Sequence, residues 1–336
     1  MRCQGCWVSV DNPAEMAEQD AGRLIDQAKR YGVRFFGILG GEPLLHPRLF
    51  AILEKHPECY FQLFTNGTAI TEAAAREMRR LGNISPLISI EGLEQVSDER
   101  RGGRNVYAKA LAGLERCRRE RLVAGIATSV CQSNIGELAA EAFIDECIRR
   151  GAHYLWYYIY RPVGAIPAPE LALRKDQIAA LRRFIVAMRS RKPILLVDAY
   201  WDHQGRGLCP AAVGLSYHVN ARGDLEPCPP LQFASENLLD GRDIFDAVNR
   251  SAFLREFSKT CAETTRGCII LEDPAKLKAL VERMGARATS GRDGLAELAA
   301  MAPKPSHDLP DEAIPEDSWA YRFAKKHWFF GFGAYG

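Results

Sequence analysis

The chain has 336 residues, of which 47% are hydrophobic and 26% are charged, a composition typical of a globular protein with one large domain and an addition. Its formal net charge of +2 excludes the strong positive field by which many proteins bind nucleic acid or an anionic membrane surface. We find neither a signal peptide nor an apolar stretch of membrane-spanning length, and we therefore predict a cytoplasmic protein.

Predicted helices alternate with short apolar strands from residue 12 to about residue 190. The strands are predicted over 33–39, 60–64, 86–90, 125–130 and 153–160, and the helices over 12–31, 49–55, 71–82, 107–119, 135–149 and 175–189. This alternation predicts a parallel α/β sheet, and the uninterrupted apolar strands indicate that both faces of the sheet are covered. A barrel and an open, doubly wound sheet fit the alternation equally well. No G-x-G-x-x-G follows the first strand, which counts against a dinucleotide-binding fold.

The pattern changes after Pro193. Residues 214–228 (GLSYHVNARGDLEPC) predict a hairpin that turns at 221–224, and helices are predicted over 243–257 and 273–284. From residue 302 the chain is rich in proline and acidic residues, so we expect loose order there. It ends in the aromatic, glycine-rich sequence HWFFGFGAYG. We predict an α/β domain over 1–192, a small second domain over 193–285, and a partly irregular tail over 286–336.

Polar residues follow each predicted strand. In chain order they are Gly40, Gly41, Glu42 and Pro43; Thr65 and Asn66; Ser89 and Glu91; Ser129; and Arg161. The carboxyl ends of parallel strands meet at one edge of a sheet, where reactive groups gather, so we predict a site there. Glu42 can accept a hydrogen bond from an ammonium group, Ser89 and Glu91 share one face, and Arg161 is available for a carboxylate.

The ten cysteines are a high number for a reducing compartment, in which metal binding or catalysis is a better explanation than disulfides. Cys3 and Cys6 form a C-x-x-C pair at the start of the chain. A second group consists of Cys209, Cys228, Cys261 and Cys268. We expect the other four cysteines to be small buried apolar residues.

A C-x-x-C pair in front of these strand ends resembles the radical S-adenosylmethionine (SAM) enzymes, over roughly residues 1 to 190. In that family the signature C-x-x-x-C-x-x-C holds a [4Fe–4S] cluster by three thiolates, and the fourth iron binds SAM. Cys3 and Cys6 match its last two cysteines, so the first cysteine is expected two residues before Met1, behind an opening strand. We expect the first cysteine to be missing because Met1 is an internal methionine taken as the start, or because the chain was trimmed. The alternatives are an inactive relative, or Cys131 as the third ligand.

The resemblance implies a partial (β/α)6 barrel in which the strand-end residues bind SAM. Residues 40–43 would bind the methionine amine, Ser89 and Glu91 would face the ribose, and Thr65, Asn66, Ser129 and Arg161 would complete the site. Trp7 is expected near the adenine.

The second cysteine group begins with the spacing C-x13-G-x4-C, which resembles the SPASM and twitch extensions of radical SAM enzymes. The resemblance implies one auxiliary [4Fe–4S] cluster, as in the shorter twitch type. A structural zinc ion with four thiolate ligands is the alternative.

Together these resemblances imply an enzyme that reductively cleaves SAM to a 5′-deoxyadenosyl radical, which abstracts hydrogen from a substrate. The expected partners are a reductant such as flavodoxin or ferredoxin and a peptide substrate, with a small molecule as the alternative, but no nucleic acid or membrane. A non-catalytic binding protein stabilised by zinc or a cluster is the competing interpretation. The aromatic tail is expected as a strap on the barrel, and otherwise as a plug, a docking segment or a substrate-like segment.

Overall fold

The computed structural model describes residues 3–8, 14–198, 200–202 and 204–327. Six strands alternate with helices in the first part of the chain. The strands are β1 (Phe35–Ile38), β2 (Tyr60–Thr65), β3 (Ile84–Ser89), β4 (Gly125–Val130), β5 (Tyr154–Ile159) and β6 (Leu195–Val197). The helices are α1 (Glu18–Arg30), α2 (Leu49–Glu54), α3 (Glu72–Leu81), α4 (Glu94–Arg101), α5 (Val106–Arg119), α6 (Ile135–Leu138), α7 (Glu141–Arg149) and α8 (Lys175–Arg189).

The six strands form one parallel sheet in the order β1-β2-β3-β4-β5-β6, so that each strand pairs with the next along the chain. Outward residues such as Phe61, Leu63 and Leu155 pack under the helices in the main core. Inward residues such as Leu87 and Trp156 form a second, smaller core from several strands. The prediction of a parallel α/β sheet curved into a partial barrel is confirmed.

The remaining elements follow β6. They are β7 (His218–Val219), β8 (Leu225–Glu226), β9 (Phe233–Ala234), α9 (Ile244–Arg250), α10 (Ala252–Thr264), α11 (Ile269–Glu272), α12 (Pro274–Met284), β10 (Arg287–Ala288), α13 (Gly294–Ala300) and α14 (Trp319–His327). β7 and β8 form the predicted antiparallel hairpin. The elements β7 to β10 and α9 to α13, called the second unit below, build a separate apolar core that includes Cys209, Cys228, Cys261 and Cys268.

Several boundaries differ from the prediction, and the helices α4, α11, α13 and α14 were not predicted. The sheet continues past residue 192, because β6 pairs with β5 but is only three residues long and gives a weak sequence signal. The helix predicted over 135–149 is two helices, and the one predicted over 243–257 breaks at Ser251, whose hydroxyl caps α10. The helix predicted from residue 12 begins at Glu18, and residues 12 and 13 lie outside the described residues.

The expectation of loose order from residue 302 is wrong for the described part of the tail. Residues 302–318 are largely irregular, but Ser306, His307 and Glu316 are buried. The Arg189 guanidinium pairs with the Glu316 carboxylate, and the Tyr321 hydroxyl donates to the Asp198 carbonyl over 3.1 Å. Residues 302–327 therefore form a strap that is held on α8 and the end of β6. The rest of the aromatic tail, 328–336, lies outside the described residues. No helix in the described ranges is both long and apolar enough to cross a membrane.

Candidate active site and second cysteine group

The C-x-x-C loop lies against the segments that follow β3 and β5. The Cys3 thiol donates to the Arg101 carbonyl at 3.6 Å, and the Gly5 amide donates to the Ile166 carbonyl at 2.7 Å. Two glycines allow this close approach. A Cβ at Gly5 would lie 2.2 Å from the Tyr160 ring, and one at Gly164 would lie 2.0 Å from the Cys6 carbonyl oxygen. The loop therefore sits at the carboxyl edge of the sheet.

Glu42 joins the ends of β1 and β2. Its Oε1 accepts from the Thr65 hydroxyl at 2.7 Å and from the Leu44 amide at 3.2 Å, and its Oε2 accepts from the Asn66 amide at 2.8 Å. A carboxylate offers about four acceptor positions, so these three bonds leave capacity for one further donor. Beside Glu42, a Cβ at Gly40 or Gly41 would meet no atom within 4 Å. The backbone here borders open space that a ligand can enter.

Glu91 joins the ends of β3 and β4 in the same way. Its buried carboxylate accepts from the Ser129 amide at 2.6 Å and lies 3.4 Å from the Arg101 guanidinium. Asn134 holds both strand ends, because its Nδ2 donates to the carbonyls of Glu91 and Ser129 at 2.9 and 3.0 Å. Ser89 is the half-buried last residue of β3.

Two arginines separate Glu91 from the C-x-x-C loop. Arg100 donates to the Gln4 side chain at 3.2 Å, and its guanidinium lies 4.8 Å from the Tyr160 ring centroid. Both Arg100 and Arg101 bury an Nε that has no partner among the described residues. Burial raises the pKa of the Cys6 thiol, with a smaller rise from Cys3 and an opposing effect of Arg101. The positive charge and unused donors beside the thiols suit a negatively charged group.

Trp7, which follows Cys6, contacts the hairpin of the second unit. Its ring meets the His218 ring edge-on, at a centroid distance of 5.4 Å. The Nδ1 of His218 lies 2.6 Å from the Glu226 carboxylate, which is buried. The C-x-x-C loop is therefore packed between the barrel and the second unit, and the expectation of Trp7 near an adenine stays a prediction.

The second cysteine group is brought together by the hairpin, α10 and the turn before α11. Burial raises the pKa of Cys228, and the nearby thiols of Cys209 and Cys268 raise it further. Burial likewise raises the pKa of Cys261, again with contributions from Cys209 and Cys268. The four thiols therefore lie near enough to influence one another electrostatically, within one apolar core. Among the residues that the structure describes, no three His, Cys, Asp or Glu side chains converge closely enough to hold a single metal ion.

Arg161 lies at this second group. Its Nε donates to the Cys268 sulfur at 3.2 Å, and its Nη1 donates to the Ile159 carbonyl at 3.4 Å. Its guanidinium carbon stands 5.3 Å from the centroid of the Tyr200 ring. The sequence assigned Arg161 to a carboxylate at the strand ends, whereas the structure directs it to a thiol.

The strap completes the surroundings of Cys268. The Ser306 hydroxyl accepts from the Cys268 amide at 3.0 Å and donates to the Glu272 carboxylate at 2.5 Å. Asp308 accepts from the Arg266 amide at 3.0 Å. The turn that carries the fourth cysteine is thus held by residues about 40 positions further along the chain.

Comparison with known proteins identifies the first part of the chain. Residues 1–132 match the family model described as the radical SAM superfamily. This part of the chain belongs to the radical SAM superfamily. The match covers the C-x-x-C pair and the ends of β1 to β4, which are the segments that form the site above.

Two curated relatives illustrate the range of this superfamily. Pre-heme d1 synthase of Dinoroseobacter shibae is 29% identical over 143 residues, which are 41% of this chain and 35% of that protein. A PqqA peptide cyclase of Streptomyces rochei is 21% identical over 295 residues, which are 78% of each chain. The chain spans only about a third to a half of the first curated relatives that it matches, with shares of 35%, 42% and 47%.

The fold extends the likeness beyond the radical SAM domain. The crystal structure of anSMEcpe with bound AdoMet and Kp18Cys peptide superposes with a TM-score of 0.63 at 15% identity. The superposition covers 97% of this chain and 91% of that chain, so the two share their overall fold, including the second unit and the strap region.

The residues of the radical SAM domain fit the cofactors that its family implies. Cys3 and Cys6 supply two thiolates for an iron–sulfur cluster, and the open backbone at Gly40 and Gly41 leaves room for SAM. Glu42 retains acceptor capacity for an amine, and the unused donors of Arg100 and Arg101 suit a carboxylate or the cluster itself. The ligand roles of the strand-end residues remain predictions.

Sequence reasoning missed three residues of the radical SAM domain. Arg100 and Arg101 belong to the basic run RRGGR, which needs a local explanation but does not follow a predicted strand, so nothing in the sequence assigned it a site role. Asn134 follows β4 by four residues and precedes α6, where asparagine is usual as a cap, so nothing marked it as the link between two strand ends.

Proposed function

We propose that this protein is a radical SAM enzyme that generates a 5′-deoxyadenosyl radical at the carboxyl edge of its barrel and uses it on a peptide. The observation that carries the proposal is that the C-x-x-C loop lies at the carboxyl edge of the sheet, the edge at which Glu42 and Glu91 are each anchored by the end of the neighbouring strand. The ends of four strands, β1 to β4, and the loop thus share one edge of the sheet.

Cys3 and Cys6, together with a third cysteine, would hold a [4Fe–4S] cluster, which would supply the electron for reductive cleavage of SAM and so the radical that would abstract hydrogen from the substrate. The chain's own residues prepare that site. Glu42 accepts the methionine ammonium, and Arg101 pairs with an anionic group while it orients Glu91 toward the ribose. The buried position of Glu91 keeps water from this carboxylate, and exclusion of water would protect a reactive radical from side reactions.

A second cluster at Cys209, Cys228, Cys261 and Cys268 belongs to the proposal. Support comes from the membership of all four cysteines in one apolar core and from the Arg161 guanidinium, which donates to the Cys268 sulfur. The thiolate ligands of a cluster would supply the negative charge that the Arg161 guanidinium does not meet elsewhere among the described residues. Zinc is the alternative at these cysteines, and metal analysis of anaerobic preparations separates iron with acid-labile sulfide from zinc.

The peptide substrate is supported by the names of the PqqA peptide cyclase and of the peptide-bound anSMEcpe structure. A small-molecule substrate is the second candidate, favoured by the likeness to pre-heme d1 synthase. If the substrate is a peptide encoded next to the gene of this protein, a deuterated form of that peptide should transfer deuterium to 5′-deoxyadenosine. Transfer from a deuterated heme precursor instead would favour the second candidate.

SAM cleavage tests the proposal. We would extend the chain so that a cysteine stands two residues before Met1, as the family signature requires, and use serine at that position as the matched control. After anaerobic reconstitution and reduction, the cysteine form should release 5′-deoxyadenosine, and the Glu91→Gln variant of that form should release much less. Equal release from the cysteine and serine forms, or none from either, would refute the proposed activity.

A further inference from the structure

Two adjacent residues after β5 contact the two cysteine groups. Tyr160 packs against Gly5 of the C-x-x-C loop, and its ring is covered by Arg100. Arg161 extends to the second group, where its Nε donates to the Cys268 sulfur at 3.2 Å. One short segment at the carboxyl edge of the barrel therefore links both sites.

Arg161 has an unusual set of partners for a partly buried cation. They are the sulfur of Cys268, the Ile159 carbonyl, and the hydroxyl and ring of Tyr200. Within the described residues no carboxylate lies within ion-pair distance of this guanidinium. An arginine side chain stays protonated in proteins, so its charge cannot be removed by loss of a proton. The negative charge that would balance it is that of the cysteine thiolates.

The groups around Arg161 do not compensate its charge. Burial raises the pKa of Tyr200, so the phenol is neutral. Burial lowers the pKa of His307 to about 3, and Arg161 lowers it further, so this imidazole is neutral as well. The positive charge of the guanidinium therefore acts on the nearby thiols without being offset by Tyr200 or His307.

Such a cation has a defined effect on an iron–sulfur cluster. The reduction potential of a cluster depends on its net charge, on hydrogen bonds to its sulfurs and on its exposure to solvent. When [4Fe–4S]²⁺ gains one electron to become [4Fe–4S]⁺, the negative charge on the cluster and its ligands increases by one. A hydrogen bond from a cation to a ligand sulfur stabilises that reduced form more than the oxidised form.

We infer that Arg161 is a positioning residue that raises the reduction potential of the second cluster through Cys268, an inference that rests on the second cluster of the proposed function. It makes the second site a better electron acceptor at the edge of the barrel. Loss of the charge is expected to lower the equilibrium constant for one-electron reduction about tenfold, which corresponds to about 59 mV.

The test uses the full chain with Cys3→Ala and Cys6→Ala, so that only the second cluster is present. Iron and sulfide content are measured first, and the midpoint potential is then determined by a redox titration followed by electron paramagnetic resonance. Arg161→Met removes the charge, Arg161→Lys keeps it, and Tyr200→Phe is the matched control because it preserves the ring under the guanidinium. We expect a more negative potential in R161M, a smaller shift in R161K and an unchanged potential in Y200F.

The outcomes separate this inference from the function on which it rests. Four iron atoms per chain with the same potential in R161M as in the parent would overturn the role of Arg161 alone. Absence of iron from the parent would overturn the second cluster as well. If R161M binds no iron, the comparison depends on R161K. Failure of both variants to bind iron would show a purely structural requirement and would overturn the inference.

Discussion

The docking of the C-x-x-C loop on the segment after β5 predicts a specific effect of Gly164→Ala. Gly164 has a φ of +84°, and an added Cβ would lie 2.0 Å from the Cys6 carbonyl oxygen and 2.8 Å from its carbonyl carbon. Both atoms belong to the backbone, so no side chain can rotate away. The contact must open from 2.0 Å to at least 3.0 Å, and the loop that carries both thiols must move with it.

Gly82→Ala provides the matched control. Gly82 has a φ of +74° at the end of α3, but a Cβ there would meet no atom within 4 Å. Both substitutions place alanine in the left-handed region, which costs about 1–2 kcal/mol of folding free energy. Only Gly164→Ala adds the collision with Cys6.

The assay combines urea unfolding with SAM cleavage in the chain that carries the additional cysteine. Both variants should lose about 1–2 kcal/mol of unfolding free energy from backbone strain, and G164A somewhat more. SAM cleavage should be close to normal in G82A and reduced about 100-fold in G164A, because a displacement of about 1 Å can have that effect on a reacting group. Equal cleavage by the two variants would refute the docking of this loop at the active site.

Two further predictions concern the strap. Ser306→Ala leaves the Cys268 amide unpaired, at a cost of about 1–3 kcal/mol. The amount of iron bound at the second cysteine group should therefore decrease. The control variant Ser190→Ala, at an exposed serine, should bind the normal amount of iron. Unchanged iron content in S306A would show that the strap does not position Cys268. Burial lowers the pKa of His307 to about 3. Between pH 6.5 and pH 3 the unfolded chain therefore binds a proton at this imidazole that the folded chain does not bind. The free energy of unfolding should fall as the pH drops below 6.5, by up to about 1.4 kcal/mol per pH unit. His307→Gln should flatten that part of the pH profile in urea titrations, and an unaltered slope would contradict a buried neutral imidazole.

The sheet was predictable because its strands are short apolar runs between amphipathic helices. The run over 125–130 coincides with β4, and the helix over 175–189 coincides with α8. β6 has only three residues, and its position follows from pairing with β5, which local sequence does not encode. The break at Ser251 has the same origin, since a single capping hydroxyl divides one apolar pattern into two helices.

The candidate site was predictable as far as it depends on strand order. Once the strands are parallel and sequential, Glu42 must meet the end of β2 and Glu91 must meet the end of β4. The partner of Arg161 could not be predicted, because the choice between two cysteine groups depends on how the second unit packs on the barrel. Ser306 lies 38 positions after Cys268, beyond three helices, in a segment that composition alone described as loosely ordered, so their contact could not be predicted either.

The most direct measurement follows the first cluster alone. In the chain with the additional cysteine, Cys209, Cys228, Cys261 and Cys268 are replaced by alanine, and the reduced protein is studied by electron paramagnetic resonance with and without SAM. Our account predicts a [4Fe–4S]⁺ signal that is lost in Cys6→Ala and that changes shape when SAM is added. A signal that SAM leaves unchanged, or one that survives the loss of Cys6, would contradict it.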